Sequence, residues 1–209
     1  MIEFLPVIVL VLTFVALLII GVPVAWCIAI SSMFTLMLAM PVSAATTTVS
    51  QRIATGLDSF ALLAIPFFIL SGQIMSKGGI ANRLISFAKT LVGFLPGGLA
   101  LINIVSAMLM GAIAGSAMAS ASAMGTILGP EMEKEGYSKE FGAAVNITSS
   151  TTGLVIPPSN TLIVYSLASG GVSIAALFLA GYIPGILTGL LMMIVAMIWA
   201  KKNNYPVVE

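Results

Sequence analysis

The chain has 209 residues, 59% of them hydrophobic and 7% charged, with a formal net charge of +1. Soluble domains carry about a quarter charged residues, so this composition cannot cover a globular surface and reads as an integral membrane protein. One cysteine, Cys27, and no histidine exclude an intrachain disulfide, a Cys/His metal centre and His-based acid–base catalysis; the near-neutral charge argues against nucleic acid as a partner.

The apolar runs are long and continuous, without strand-like alternation, and predict helices rather than a barrel. Leu5 to Ile20 is the first span; the N-terminal MIEFLP has an acid and no basic region, so this run is read as a span and not a cleaved signal. Val24 to Met40 is the second, entered through Gly21-Val22-Pro23 and ended by Pro41. Residues 42–59 are more polar and are expected to leave the hydrocarbon. Ser59 to Met75 is the third span, with a kink expected at Pro66. Lys77, Arg83 and Lys89 then punctuate a segment that reads as an interfacial helix. Residues 97–129 are uncharged around the small-residue stretch GAIAGSAMASASAMG, and the run EMEKEGYSKE that follows is expected to be a solvated loop. Residues 142–168 are apolar but interrupted by IPPSNT at 156–161. Ile174 to Ala200 is the last span, closed by Lys201 and Lys202.

Basic residues set the orientation. With the N-terminus outside and residues 97–129 forming a hairpin that enters and returns, Lys77, Arg83, Lys89, Lys134, Lys139, Lys201 and Lys202 all lie inside, and Arg52 alone lies outside. A full crossing by residues 97–129 would strand Lys134 and Lys139 outside. Hairpin arms of about 16 residues, rising 1.5 Å each, are also short for a crossing. The expected fold is all-α, with about five transmembrane helices and one re-entrant helical hairpin. An odd number of crossings would insert a fused second copy upside down, the plan of inverted-repeat transporters; the chain reads as one such repeat.

Non-helical backbone at membrane depth is tolerated only against protein or a water-filled cavity. Two places qualify: the hairpin tip at Ala114-Gly115-Ser116, and the stretch from Thr151-Thr152-Gly153 through Asn160. Pro157 and Pro158 remove two amide donors and free carbonyls one turn earlier, while Gly153 is expected to let the backbone turn. Freed carbonyls with Ser and Thr hydroxyls suit a hard cation such as sodium. Ala114, Gly115, Ser116, Thr151, Thr152, Gly153 and Pro157 are therefore the sodium candidates. A restarted half-helix, capped by Ser159, would offer free N–H groups to a carboxylate. Small residues also serve close packing, and Gly111/Gly115, Gly125/Gly129 and Gly181/Gly185/Gly189 all carry four-residue spacing. Asn146-Ile147-Thr148 matches a glycosylation sequon but falls in an expected span and is set aside.

Two stretches, GSAMASASAMGTILGPEMEKEGYSKEFGAA and GLVIPPSNTLIVYSLASGGVSIAALFLAGYIPG, resemble the large membrane subunit of tripartite ATP-independent periplasmic (TRAP) transporters. LLAIPFFILSGQIM and LPGGLALINIVSAMLMGAIAGSA fit as well, so the resemblance runs along almost the whole chain. It implies a sodium-coupled secondary importer of an organic acid in the cytoplasmic membrane of a bacterium or archaeon. It also implies three partners: a periplasmic solute-binding protein, a small membrane subunit, and the second half of the large subunit. The family moves as an elevator, which would make residues 1–58 scaffold, 59–171 part of the transport domain, and 172–209 the last span and cytoplasmic tail. Some members carry an acidic residue near the position of Ser120; Ser120, Ser159 and Asn160 are the solute candidates. No cofactor beyond the coupling ion is implied, and no enzymatic role. The alternatives kept open are a stand-alone ion-coupled antiporter or dicarboxylate carrier, and a structural subunit that transports nothing.

Overall fold

A computed structural model describes residues 4–207; the N-terminal Met1–Glu3, expected outside, lie beyond the described residues, as do Val208 and Glu209. The described residues are helical throughout, with no strand: α1 (Leu5–Ile19), α2 (Val24–Met37), α3 (Val42–Leu57), α4 (Phe60–Lys77), α5 (Ile80–Val92), α6 (Gly98–Ala114), α7 (Ala117–Lys134), α8 (Lys139–Ser150), α9 (Asn160–Ala168) and α10 (Ile174–Lys202). They fall into two compact units, Met1–Ser59 and Phe60–Glu209.

In the first unit, α1 opens with Pro6 at a position where a missing amide costs nothing. It buries none of its residues, while α2 buries Cys27 and Ser31 and α3 buries Ala45. Ile19 is 81% and Leu12 64% exposed, a surface that water would not tolerate over such a length. The polar segment 42–59 is itself a helix, α3. Its threonines hide their hydroxyls by donating back one turn: Thr46 to Val42 O at 3.0 Å, Thr47 to Ser43 O and Thr48 to Ala44 O at 2.8 Å.

Among the described residues one helix, α10, is by itself long and apolar enough to cross a membrane; α1, α2 and α6 are shorter apolar helices. At 15, 14 and 17 residues they span about 21–26 Å, less than a hydrocarbon core of about 30 Å.

The second unit is built around α6. Leu101, Ile102, Ile104 and Met110 of α6 are fully buried with Met124, Leu128 and Met132 of α7. α5 turns Ala81 and Ala88, two turns apart, into this core and leaves Arg83 and Lys89 exposed. α7 runs on to Lys134, so the first residues of the charged run are helical and not loop; the turn is confined to Glu135–Ser138, where Gly136 takes φ +84°. There Tyr137 is buried, stacks on Tyr205 at 4.3 Å and donates to Pro206 O at 3.4 Å. Burial pushes its hydroxyl up to about 12.

α10 packs within this unit. Gly181, Gly185 and Gly189 form a buried stripe on which Val155 O, Ile156 and Met108 sit where a Cβ would go.

The broken segment explains itself locally. α8 ends at Ser150, a 3-10 turn covers Thr151–Leu154, the Pro157–Pro158 bond is cis, and α9 starts at Asn160. Neither proline can donate, so the carbonyls four residues earlier, Gly153 and Leu154, lose their helical partners. Ser159 replaces one: its Oγ donates to Leu154 O at 2.5 Å and accepts from Leu162 N at 3.2 Å, closing the break and capping α9. Gly153 is not a turning residue; its φ is not positive. It is glycine because α6 passes against it: a Cβ on Gly111 would lie 2.5 Å from Gly153 Cα, and one on Gly153 would lie 2.9 Å from Gly111 Cα. Backbone meets backbone there, and neither side can yield by a rotamer change.

Two outcomes follow for stability. Gly111→Ala should destabilise by about 1–3 kcal/mol through overpacking. Gly129→Ala, in helix α7 with nothing within 4 Å of its Cβ position, should be neutral or stabilising by up to about 1 kcal/mol. Equal unfolding temperatures for the two variants in one lipid system would contradict the Gly111–Gly153 contact. Ser159→Ala should cost about 1–2 kcal/mol, and Ser159→Asp should not recover it, since a carboxylate caps α9 but cannot donate to Leu154 O. Full recovery by Asp would show that capping alone matters.

Candidate functional site

The hairpin tip and the helix break are in contact. α6 ends at Ala114, Gly115 adopts the left-handed conformation (φ +60°), and Ser116 caps α7 by accepting from Ala119 N at 3.4 Å. The tip rests on the break: Asn160 N donates to Gly115 O at 3.3 Å, and a Cβ on Gly115 would lie 2.7 Å from Pro158 O. The 3-10 turn touches the same tip, with the Gly153 Cβ position 3.5 Å from Ser116 C and 3.6 Å from Ala117 N. On the other side of the tip, Gly72 of α4 admits Ala114, whose Cβ would be 2.9 Å from a Cβ at 72.

This junction gathers four helix ends. The carbonyl ends of α6 and of α8 with its 3-10 turn carry partial negative charge; the amide ends of α7 and α9 carry partial positive charge. Carbonyl ends favour a cation and amide ends an anion, and among the described residues no charged side chain takes part in the junction. The eight basic residues lie at positions 52, 77, 83, 89, 134, 139, 201 and 202, outside both the tip and the break.

The sequence candidates separate on inspection. Ala114, Gly115, Ser116, Thr152, Gly153 and Pro157 all belong to the tip or the buried part of the break. Thr152 is 1% exposed and its hydroxyl donates to Ser149 O at 2.7 Å, leaving its lone pairs free to accept. Among the described residues no hydrogen bond reaches the Gly153 carbonyl, the one that Pro157 leaves without a donor. Thr151 points away: it is exposed and donates to Thr148 O at 2.7 Å. Asn160 holds a buried Oδ1 with no partner, 3.5 Å from the Cβ position of Gly115.

Two solute candidates have their hydroxyls bonded within the fold. Ser120 is 0% exposed and its hydroxyl donates to Ala107 O at 3.1 Å, so it joins the two arms of the hairpin. Ser159 is also 0% exposed, with both hydrogen-bonding roles used inside the break. Both are hydroxyls that a helical chain needs for itself at a place where the backbone has lost partners.

Two further polar residues, Asn103 and Asn146, are not among the sequence candidates. Asn103 is 1% exposed, lone in an apolar run of α6, and accepts from Ser149 Oγ at 3.3 Å. Asn146 Nδ2 donates to Ala121 O at 2.9 Å, tying α8 to α7. An asparagine within an uncharged apolar run is the signal that could have found Asn103.

Residues 11–209 match the family described as the DctM component of the tripartite ATP-independent periplasmic transporters. The chain is 56% identical over 204 residues to the uncharacterized protein YgiK of Salmonella typhimurium, covering 98% of this chain and 47% of that one. It is 40% identical over 193 residues to the C4-dicarboxylate TRAP transporter large permease protein DctM of Vibrio cholerae, covering 92% and 42%. To the sialic acid TRAP transporter permease protein SiaT of Haemophilus influenzae it is 37% identical over 197 residues, covering 93% and 31%. The chain thus spans less than half the length of each of these relatives, and it belongs to the DctM component family of TRAP transporters, a family of membrane permeases.

Proposed function

We propose that this chain is the first inverted repeat of the large permease subunit of a sodium-coupled secondary transporter, importing an organic acid across a bacterial or archaeal cytoplasmic membrane. The observation that carries the reading is the seating of the hairpin tip on the helix break, Gly115 against Pro158 and Asn160. A membrane protein with no ligand to bind gains nothing from two interrupted helices whose unpaired oxygens meet. Sodium takes the carbonyl side: Gly153 O, the Thr152 hydroxyl oxygen, the tip carbonyls of Ala114 to Ser116, and the unpartnered Oδ1 of Asn160. The carboxylate takes the amide ends of α7 and α9, next to the ion. The relatives named for C4-dicarboxylates and sialic acid are named for carboxylic acids, which supports this class of solute. Residues 1–58 act as scaffold and the tip and break travel in the moving part. A periplasmic solute-binding protein delivers the acid, and a small membrane subunit and the second repeat complete the pathway.

In the complete transporter reconstituted with its binding protein, Ser116→Ala should raise the sodium concentration for half-maximal uptake about tenfold, the loss of one modest contact. Gly153→Leu, which drives a side chain into α6, should abolish uptake. If both variants keep the wild-type sodium dependence, the ion does not bind here. If uptake persists without sodium in the wild type, the protein is a carrier of another kind.

The proposed topology has five crossings, a hairpin entering from the cytoplasm, the N-terminus outside and Lys201 inside. With Cys27→Ser as background, an impermeant thiol reagent applied outside should label Thr47→Cys and spare Ser86→Cys, Lys134→Cys and Asn203→Cys. Outside labelling of Lys134→Cys would mean that the hairpin crosses fully.

A further inference from the structure

The end of α4 and helix α5 carry positive charge without a local counter-charge. Lys77, Arg83 and Lys89 are the charged residues between Asp58 and Glu131, a stretch that holds no acid. All three are exposed. Among the described residues the one ion pair joins Glu133 and Lys139, and it involves none of them.

α5 has three faces. Ala81, Leu84, Ile85, Ala88 and Val92, spaced as one helical stripe, turn to α6 and the core. Asn82, Ser86 and Thr90, four residues apart, form an exposed polar row. Its hydroxyls donate back one turn, Ser86 to Asn82 O at 2.9 Å and Thr90 to Ser86 O at 3.1 Å. Phe87 and Leu91, with Phe94 just past the helix end, make a second apolar row that the core does not cover; they are 53%, 49% and 66% exposed. One apolar stripe suffices to pack a helix on a core, so the outer row calls for an apolar surrounding of its own. Arg83 stands one turn before Phe87, at the seam between the polar row and the outer apolar row. At 3.6 residues per turn its direction is about 40° from that of Phe87, whereas Lys89 points about 160° away from Phe87.

We propose that this outer face of α5 docks a net-anionic phospholipid of the bilayer, its chains along Phe87 and Leu91 and its phosphate on the Arg83 guanidinium. The outer row fixes where hydrocarbon begins. Arg83 at the seam lays its apolar stem on that row and holds its charged head at the level of the lipid headgroups. Guanidinium and phosphate match in paired N–H···O bonds. The missing acids set the net charge of the lipid: a zwitterionic headgroup brings a cation into a segment that has no carboxylate to receive it, and an anionic one does not. The proposal holds whichever solute and ion the protein carries.

The test measures phosphatidylglycerol bound to the purified protein by native mass spectrometry, against phosphatidylcholine with the same chains. Phosphatidylglycerol should bind about fivefold tighter or more, the contribution of one basic residue at an anionic surface. Arg83→Gln should remove that preference. Lys89→Gln, the same change of charge on the opposite side of the helix, should retain it. Phe87→Ser should weaken phosphatidylglycerol about threefold or more, through lost apolar contact. Excess inorganic phosphate should leave the lipid in place, because it has no chains for Phe87 and Leu91 to hold. Equal affinity for the two lipids would overturn the proposal. So would equal losses in Arg83→Gln and Lys89→Gln, which would mean diffuse attraction and no site. Unchanged binding in Phe87→Ser would overturn it by showing that another part of the transporter covers the apolar row, and displacement by phosphate would show that the occupant is a free anion.

Discussion

The structure of the larger unit depends on the contact between Gly111 and Gly153. A hydrocarbon environment does not forgive free backbone groups, each of which costs several kcal/mol there. A helix broken by two prolines can therefore exist only if another element comes close enough to shelter and share its loose ends. The approach is at backbone distance, a Cβ on either glycine falling within 2.9 Å of the other chain segment. From that contact the rest follows in sequence order. α6 must end just beyond it, Gly115 must reverse the chain, and Ser116 must start α7 where it can reach the same break.

Several hydroxyls of this unit serve the fold. Ser120 joins the arms of the hairpin, Ser159 closes the break, and Ser166 donates to Val172 O at the end of α9. Each sits where a helix end or a packed backbone needs one more partner. Among the described residues the groups left without a partner include Gly153 O and Asn160 Oδ1 at the junction, and Asn103 Nδ2, Ser106 Oγ and Asn146 Oδ1 away from it.

The smaller unit follows another logic. α1 exposes apolar side chains along its whole length, and α3 folds its threonine hydroxyls back on its own carbonyls. Such a surface is stable in lipid or against another protein, and among its described residues no buried side-chain polar atom lacks a partner.

Composition alone determined the class, because 7% charge cannot dress a water-soluble surface. The positions of the tip and the break were also legible: glycine and serine after an uncharged helix mark a reversal, and adjacent prolines cannot continue one. Local chemistry of this kind is written in neighbouring residues, so the capping role of Ser159 is legible in the sequence itself. The role of Gly153 is not, because its reason lies 42 residues away at Gly111. Nor are the burial of Ser120, the use of Ser159 as a donor to Leu154, the inclusion of α10 in the larger unit, or the partners of Asn103 and Asn146. Each depends on which helix faces which, and a uniformly apolar sequence carries almost no periodic signal to say so. Only the tertiary structure decided it, through the few places where glycine lets two backbones touch.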